Sequence, residues 1–233
     1  MDGRFERAWH GDPRPRHSPG QPDPIRGGCG IGWEGFVDRL DPVVLAGRFV
    51  RLVPLSLAHV DGLAEVVLDP ELWQWTLSQV RNRAELEDYV QHAIHSWETG
   101  HGLPFATIEQ SSGRIVGSTR FGAWAPEHRR VEIGWTTVAR PWQRTSVNTE
   151  AKLLMMTHAF ERLGCNRVEL KTDAQNRQSR QAILRIGARE EGELRQHAVT
   201  ASGRIRGTVY YSVLADEWPA VKTRLEGFLG QRG

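Results

Sequence analysis

The chain has 233 residues, 39% of them apolar, which suits one well-formed domain with an appendage. Lysine and arginine total 30 against 28 aspartates and glutamates, a formal charge of +2, and that near-balance argues against a dedicated nucleic-acid or membrane-surface binder. Two distant cysteines, Cys29 and Cys165, give no disulfide framework and point to a reducing cytoplasm, while no apolar run nears the ~18 residues that span a bilayer.

Residues 1–42 hold six of the twelve prolines and eight of the 24 glycines. Closely spaced prolines deny the backbone regular hydrogen bonds, and few apolar residues offset the ordering entropy. A mostly disordered leader is expected there, with Trp33 and Phe36 as its candidate docking residues; a start placed too far upstream would leave the same composition. The folded domain is expected over 43–233. It opens with a strand from Val43 to Val53, with Gly47 at a bend or bulge. Ser56 stands as N-cap ahead of Val60, Leu63, Ala64, Val67 and Leu68 at helical spacing, and Asp69-Pro70 ends that helix. Asn82 with Glu85 resembles a capping box; behind it Leu86, Tyr89, Val90, Ala93, Ile94 and Trp97 form one stripe, closed by Gly100.

Strands are predicted over 103–109 and 114–122, flanking the turn Ser111-Ser112-Gly113. A third, over 130–138, alternates Val131, Ile133 and Trp135 on one face with Glu132, Gly134 and Thr136 on the other. The helix predicted over 149–163 carries two apolar stripes, and a helix apolar on much of its girth is buried. A strand over 167–172, a helix over 177–186 stopped by Gly187, a hairpin of 193–201 with 204–213 around Ser202-Gly203, and a short helix over 216–229 complete the order. This is a mixed α/β sheet with helices packed on it.

The segment from Arg140 to Lys152 joins a strand to the buried helix. A helix N-terminus offers unpaired N–H groups and the positive end of its dipole, the small residues Thr145, Ser146 and Asn148 let a phosphate reach the backbone, and Arg144 adds charge. The plain alternative is an ordinary capped helix. Neither the P-loop nor the three-glycine dinucleotide pattern is present. Other features read as structural. His92 and His95 lack a third ligand at metal spacing. Cys165 is an isolated loop thiol, Arg129-Arg130 a solvated pair, and Tyr210 and Tyr211 point to opposite faces of the last strand.

The segment resembles motif A, Q/R-x-x-G-x-G/A, of the GNAT N-acetyltransferase superfamily, with Gln143, Ser146 and Asn148 at its defining positions. It is closest to the branch of ribosomal-protein N-terminal acetyltransferases, whose Thr-Gly-Val-Asn and Glu-Ala-Lys pattern is matched by Thr145-Ser146-Val147-Asn148 and Glu150-Ala151-Lys152. Asp69-Pro70-Glu71-Leu72-Trp73-Gln74-Trp75, Val131-Glu132-Ile133-Gly134-Trp135, and Asn176-Arg177-Gln178-Ser179 leading to Ile186-Gly187-Ala188 follow in family order, so the resemblance covers about residues 44–216.

The resemblance implies a mixed, twisted sheet of about seven strands and an enzyme that moves acetyl from acetyl-CoA to a primary amine. The amine, on a protein N-terminus or a small molecule, attacks directly in a ternary complex, without metal. It implies that Gln143, Arg144, Thr145, Ser146, Val147 and Asn148 wrap the pyrophosphate, that Asn176 holds the pantetheine arm, and that a backbone N–H near Val138 polarises the thioester. Trp73 and Trp75 would wall the acceptor pocket. Glu132 is the expected base, through water, since its strand face is otherwise small; a solvated glutamate is the alternative. Deprotonating an α-amino group at pH 7 costs about 1.4 kcal/mol and a lysine about 4.6 kcal/mol, so a lysine acceptor would lean harder on that base.

Two positions depart from the family. Ser146 replaces a glycine, and if that position needs φ > 0 the serine is strained by roughly 1–2 kcal/mol. Ile183 stands seven residues after Asn176, where many members have a tyrosine acid, leaving Ser179 as the expected thiol-facing donor. A non-catalytic acyl-CoA-binding module is the rival reading. No membrane and no stable nucleic-acid partner are expected, and a homodimer is among the assemblies open to it.

Overall fold

The computed structural model describes residues 39–231; the leader expected over 1–42, with Trp33 and Phe36, lies outside the described residues except for its last four. Two of those four, Arg39 and Leu40, touch the domain. Leu40 is buried among the core residues, its carbonyl accepts from Trp97 Nε1 at 2.8 Å, and the Arg39 guanidinium lies over the Trp97 ring.

Thirteen elements follow: β1 Leu45–Ala46, β2 Val50–Pro54, α1 Val60–Val67, α2 Arg83–Glu98, β3 Gly102–Glu109, β4 Ile115–Ala125, β5 Arg130–Val138, α3 Ser146–Glu161, β6 Arg167–Asp173, α4 Arg177–Arg185, β7 Arg189–Val199, β8 Ile205–Leu214 and α5 Trp218–Gly230. They form one sheet of eight strands in the order β1-β2-β3-β4-β5-β6-β8-β7, antiparallel throughout except for the parallel pair β5 and β6. The extra strand relative to expectation comes from Gly47. The chain reverses there, so that Leu45 pairs with Leu52 and Ala46 with Arg51.

Glu150 explains the reversal. Its carboxylate accepts from the N–H groups of Arg48, Phe49 and Val50 at 2.8, 2.6 and 2.7 Å. A Cβ on Gly47 would lie 2.4 Å from its Cδ, so only glycine fits. The cap of α2 matches its sequence signal, Asn82 Oδ1 accepting from Glu85 N; α3 is capped by Thr145, whose Oγ1 accepts from Val147 N.

The core lies on both faces of the sheet. α3 and α5 bury Ala151, Met155, Met156 and Leu225 with Phe121, Val131, Ile133 and Val168 on one face. α1 and α2 bury Leu63, Val67, Leu86 and Val90 with Ala106 on the other. No helix among the described residues is long and apolar enough to cross a membrane.

Candidate active site

β5 and β6 pair only from Arg130 with Arg167 to Glu132 with Glu169 and part beyond that point. That parting is the candidate cleft, and α3 follows β5 by way of residues 139–145. β5 is itself broken by a bulge. Trp135 adopts φ 49, and the register with β4 slips by one residue between Gly134, opposite Arg120, and Thr137, opposite Ser118. A one-residue slip moves every later side chain to the other face. The expectation that Thr136 shares a face with Glu132 is therefore corrected. Thr136 Oγ1 reaches the α3 side, 2.8 Å from Lys152 Nζ and 2.8 Å from Thr119 Oγ1. Trp135, expected on the core face, is 44% exposed and lies across Gly122, where a Cβ would meet its ring at 2.2 Å.

Glu132 stays on the face opposite α3. It is buried, and its carboxylate folds over Gly134, where a Cβ would stand 2.8 Å from Oε1. Lys171 Nζ meets Glu132 Oε2 at 2.8 Å and Glu169 Oε2 at 3.7 Å, and lies over the Tyr210 ring. Burial would push the Lys171 ammonium down, but Glu132, with Tyr210 and Glu169, outweighs it and raises the pKa above the ordinary lysine value. The Glu132 carboxylate is therefore an ion-paired group. On the other side of this floor the Arg120 guanidinium sits between the rings of Tyr89 and Trp135, and Tyr89 meets Trp73 edge to face.

At the mouth, Gln143 Nε2 donates to the Val138 carbonyl at 2.9 Å, and Thr145 Oγ1 donates to the Trp142 carbonyl at 2.7 Å. α3 begins at Ser146, three residues before the expected start, because Thr145 caps it. This corrects the expected strain at Ser146. The left-handed residue is Arg144, at φ 61, while Ser146 is the first helical residue and is buried beside Val147. The N–H groups of this first turn point out of the helix end. A hollow of about 170 Å³, lined by Arg48, Phe49, Glu109, Ser111 and residues 145–147, lies against it. Asn148 Oδ1 is buried without a hydrogen-bond partner.

Asn176 caps α4, its Oδ1 accepting from Ser179 N at 3.0 Å, so the two expected site residues are bonded to each other. Ile183 is buried in the core. Trp73 is also largely a core residue, with Nε1 donating to the Val67 carbonyl, though it borders a cavity of about 280 Å³ together with Pro70, Gln74 and residues 200–202. Trp75 stands across from the β7–β8 hairpin, under the Arg204 guanidinium, and its carbonyl accepts from Arg206 at 3.5 Å. Arg140 ion-pairs with Asp69 and Glu71 and so ties this loop to the approach to α3. Among the described residues no group of three or more metal-ligating side chains comes together, and burial pushes the Cys165 thiol up to about 12, leaving it inert.

Sequence reasoning passed over Lys152. It is buried, and burial alone brings its ammonium down to about 7. The signal was present: a lysine on a helix apolar around much of its girth has to be buried.

Residues 50–189 match the family described as the acetyltransferase (GNAT) domain. YdaF of Bacillus subtilis strain 168, named as a candidate ribosomal N-acetyltransferase, is 29% identical over 72% of this chain and 92% of its own length. A GCN5-related N-acetyltransferase from Brucella melitensis superposes with a TM-score of 0.76 at 33% identity, over 82% of this chain and 87% of its own. Mycobacterium smegmatis RimJ, solved with CoA-disulfide, shares the fold with a TM-score of 0.67 at 22% identity, over 82% of this chain and 93% of its own. With more than half of its length inside the family match, and with the sheet, the parted strands and the capped helix all in place, the chain belongs to the GNAT acetyltransferase family.

Proposed function

We propose that this protein transfers the acetyl group of acetyl-CoA to a primary amine, with a protein N-terminus as the acceptor class. The observation that carries the reading is the parting of β5 from β6 directly beside the open end of α3. A diphosphate fits there against first-turn amides, with Arg144 adding charge. Asn148 Oδ1, buried and unpartnered, suits an amide N–H of the pantetheine arm, and Gln143, holding the Val138 carbonyl, keeps the edge of β5 in shape for the thioester. RimJ in complex with CoA-disulfide supports the same ligand class, and the name of YdaF supports the acceptor class.

The amine would approach over Gly134 and beside Glu132, between the aromatic set of Trp135, Tyr89 and Trp73 and the Lys171 side. An α-amino group needs only about 1.4 kcal/mol to lose its proton at pH 7. A carboxylate that orients a water while paired with Lys171 is adequate for that, and poorly suited to a lysine acceptor. The rival, a non-catalytic acyl-CoA-binding module, draws on that same ion pair, which ties up the Glu132 carboxylate. Thiol release from acetyl-CoA, measured against peptides with free N-termini and a panel of small amines, decides. Turnover with an N-terminal amine that falls roughly 100-fold in Glu132→Gln supports the reading. Coenzyme binding with no turnover supports the module, and a Glu132→Gln variant equal to wild type removes Glu132 from the chemistry.

A further inference from the structure

Lys152 takes no part in the scheme above, yet it is the most perturbed cation near the cleft. It lies in the second turn of α3, 6% exposed, and its Nζ donates to Thr136 Oγ1 at 2.8 Å. No charged neighbour contributes to the lowering of its pKa; burial does all of it. Such a side chain is a poor stabilising device, because removing an ion from water costs several kcal/mol and a neutral hydroxyl offsets little of that. Strongly perturbed groups of this kind cluster where chemistry is done.

The position says which chemistry. Thr136 is exposed, on the stretch of β5 that has left β6, and the bulge at Trp135 has turned its hydroxyl to the α3 side. Its oxygen accepts from Lys152 and stands 2.8 Å from Thr119 Oγ1, and both hydroxyls reach the Gly134 carbonyl only at 3.4 Å, a contact the Thr136 hydroxyl gives up when it turns to the sulfur. A hydroxyl that accepts from an ammonium gives up its own hydrogen more readily, since charge-assisted bonds are the strong ones and chains of them polarise one another. Meanwhile the helix position from which a tyrosine could serve holds Ile183, buried in the core.

We infer that Thr136, held and polarised by Lys152, gives its proton to the sulfur of coenzyme A as the acetyl group leaves. The inference rests on the acyl-CoA reading of the cleft. The amine lone pair forms the N–C bond, the C–S bond breaks with its electron pair on sulfur, the Thr136 hydroxyl proton passes to sulfur, and a Lys152 proton replaces it. The amine loses its own proton to water on the Glu132 side, and Lys152 is reprotonated from solvent once the coenzyme departs. Thr136 is the catalytic residue in this step and Lys152 the positioning residue.

The test uses the full chain and the variants Lys152→Met, Thr136→Val, Thr136→Ser and the double Lys152→Met/Thr136→Val. Calorimetry reads the binding of coenzyme A, and ultraviolet absorbance across pH titrates the bound thiol by its thiolate band, a measurement that needs no acceptor. The bound thiol should titrate lower in wild type than in Lys152→Met and Thr136→Val, all three still binding the coenzyme. Turnover should fall roughly 100-fold in kcat in each of the two variants, with little change in the KM for acetyl-CoA. The double variant should be no slower than the singles, as for residues acting as one unit, and Thr136→Ser should recover most of the rate. An unchanged titration of the bound thiol, a loss confined to KM, or losses that multiply in the double variant would overturn the inference while leaving the acyl-CoA reading intact. A wild type that binds no coenzyme would overturn both.

Discussion

Replacing Lys152 with methionine separates the charge of that side chain from its size. In the folded protein the ammonium titrates at about 7, against 10.5 for an exposed lysine, and burial is the cause. Below pH 7 the group is charged in both the folded and the unfolded chain, and the folded state bears the whole desolvation penalty. The gap between the two values, at about 1.4 kcal/mol for each factor of ten, makes that penalty about 5 kcal/mol. Between pH 7 and 10.5 the unfolded chain keeps a proton that the folded chain has released, so stability rises with pH. Above 10.5 the group is neutral in both states and the penalty is gone. Methionine has nothing to titrate. Relative to the variant, wild type should therefore gain up to about 5 kcal/mol on going from about pH 6 to about pH 10.5. At about pH 6 the variant should be the more stable protein, by that penalty less about 1–2 kcal/mol for the lost bond to Thr136. Other groups with shifted values, such as Lys171 and Cys165, are common to both proteins and cancel in the difference. Urea unfolding followed by tryptophan fluorescence at several pH values measures it. A variant less stable than wild type at about pH 6, or a difference that stays flat with pH, would show that water reaches the ammonium and that the reasoning fails.

Glu150→Ala removes one carboxylate from three backbone N–H groups. Val50 lies deepest, and the other two are partly wetted, so a loss of about 3–5 kcal/mol is expected in urea unfolding. Gly47→Ala should fail at the same contact, seen as a lowered melting temperature. Arg144→Gly relieves a left-handed residue and should raise stability by about 1 kcal/mol while weakening coenzyme binding through the lost charge, the two effects being read by melting temperature and calorimetry. Leu40→Ala opens a hole beneath Trp97 and should cost about 2–4 kcal/mol, which thermal unfolding of the full chain would register.

The regular elements and their caps could be read from the sequence because each is a local matter. Asn82 with Glu85, the stripe behind them, and the hairpin turns at Ser112-Gly113 and Ser202-Gly203 are settled within a few residues, and they stand where expected. Features that depend on distant partners could not be read this way. At Gly47 a bend or bulge is legible but the full reversal is not, because nothing nearby in sequence announces that Glu150, about a hundred residues away, inserts a carboxylate into its turn. Trp73 is expected as a pocket wall from the family resemblance alone; the bond to the Val67 carbonyl and the contact with Tyr89 that fix it beside the cavity exist only after α1 and α2 have packed. Glu132 is singled out by its strand face together with the family resemblance, but its partner Lys171 comes from the neighbouring parallel strand, and sequence spacing says nothing of that register.

At Trp135 the bulge makes strict alternation give the wrong face, and it changes what the site can do. Without it, Glu132, Gly134 and Thr136 would line one side of β5, with carboxylate and hydroxyl both turned toward the amine. With it, Glu132 stays beside Lys171 on the acceptor side while the Thr136 hydroxyl passes through the strand to Lys152 on the α3 side. Acyl transfer to an amine needs a proton taken at nitrogen and a proton given at sulfur, and those atoms lie on opposite sides of the carbonyl carbon. A strand that places an ion-paired carboxylate on one face and an ammonium-backed hydroxyl on the other, within five residues, would keep the two proton transfers of the proposed reaction apart. Glycine at 122 is then required by the same arrangement, since the Trp135 ring occupies the space a side chain would fill, and a side chain at 134 would displace the Glu132 carboxylate from its place.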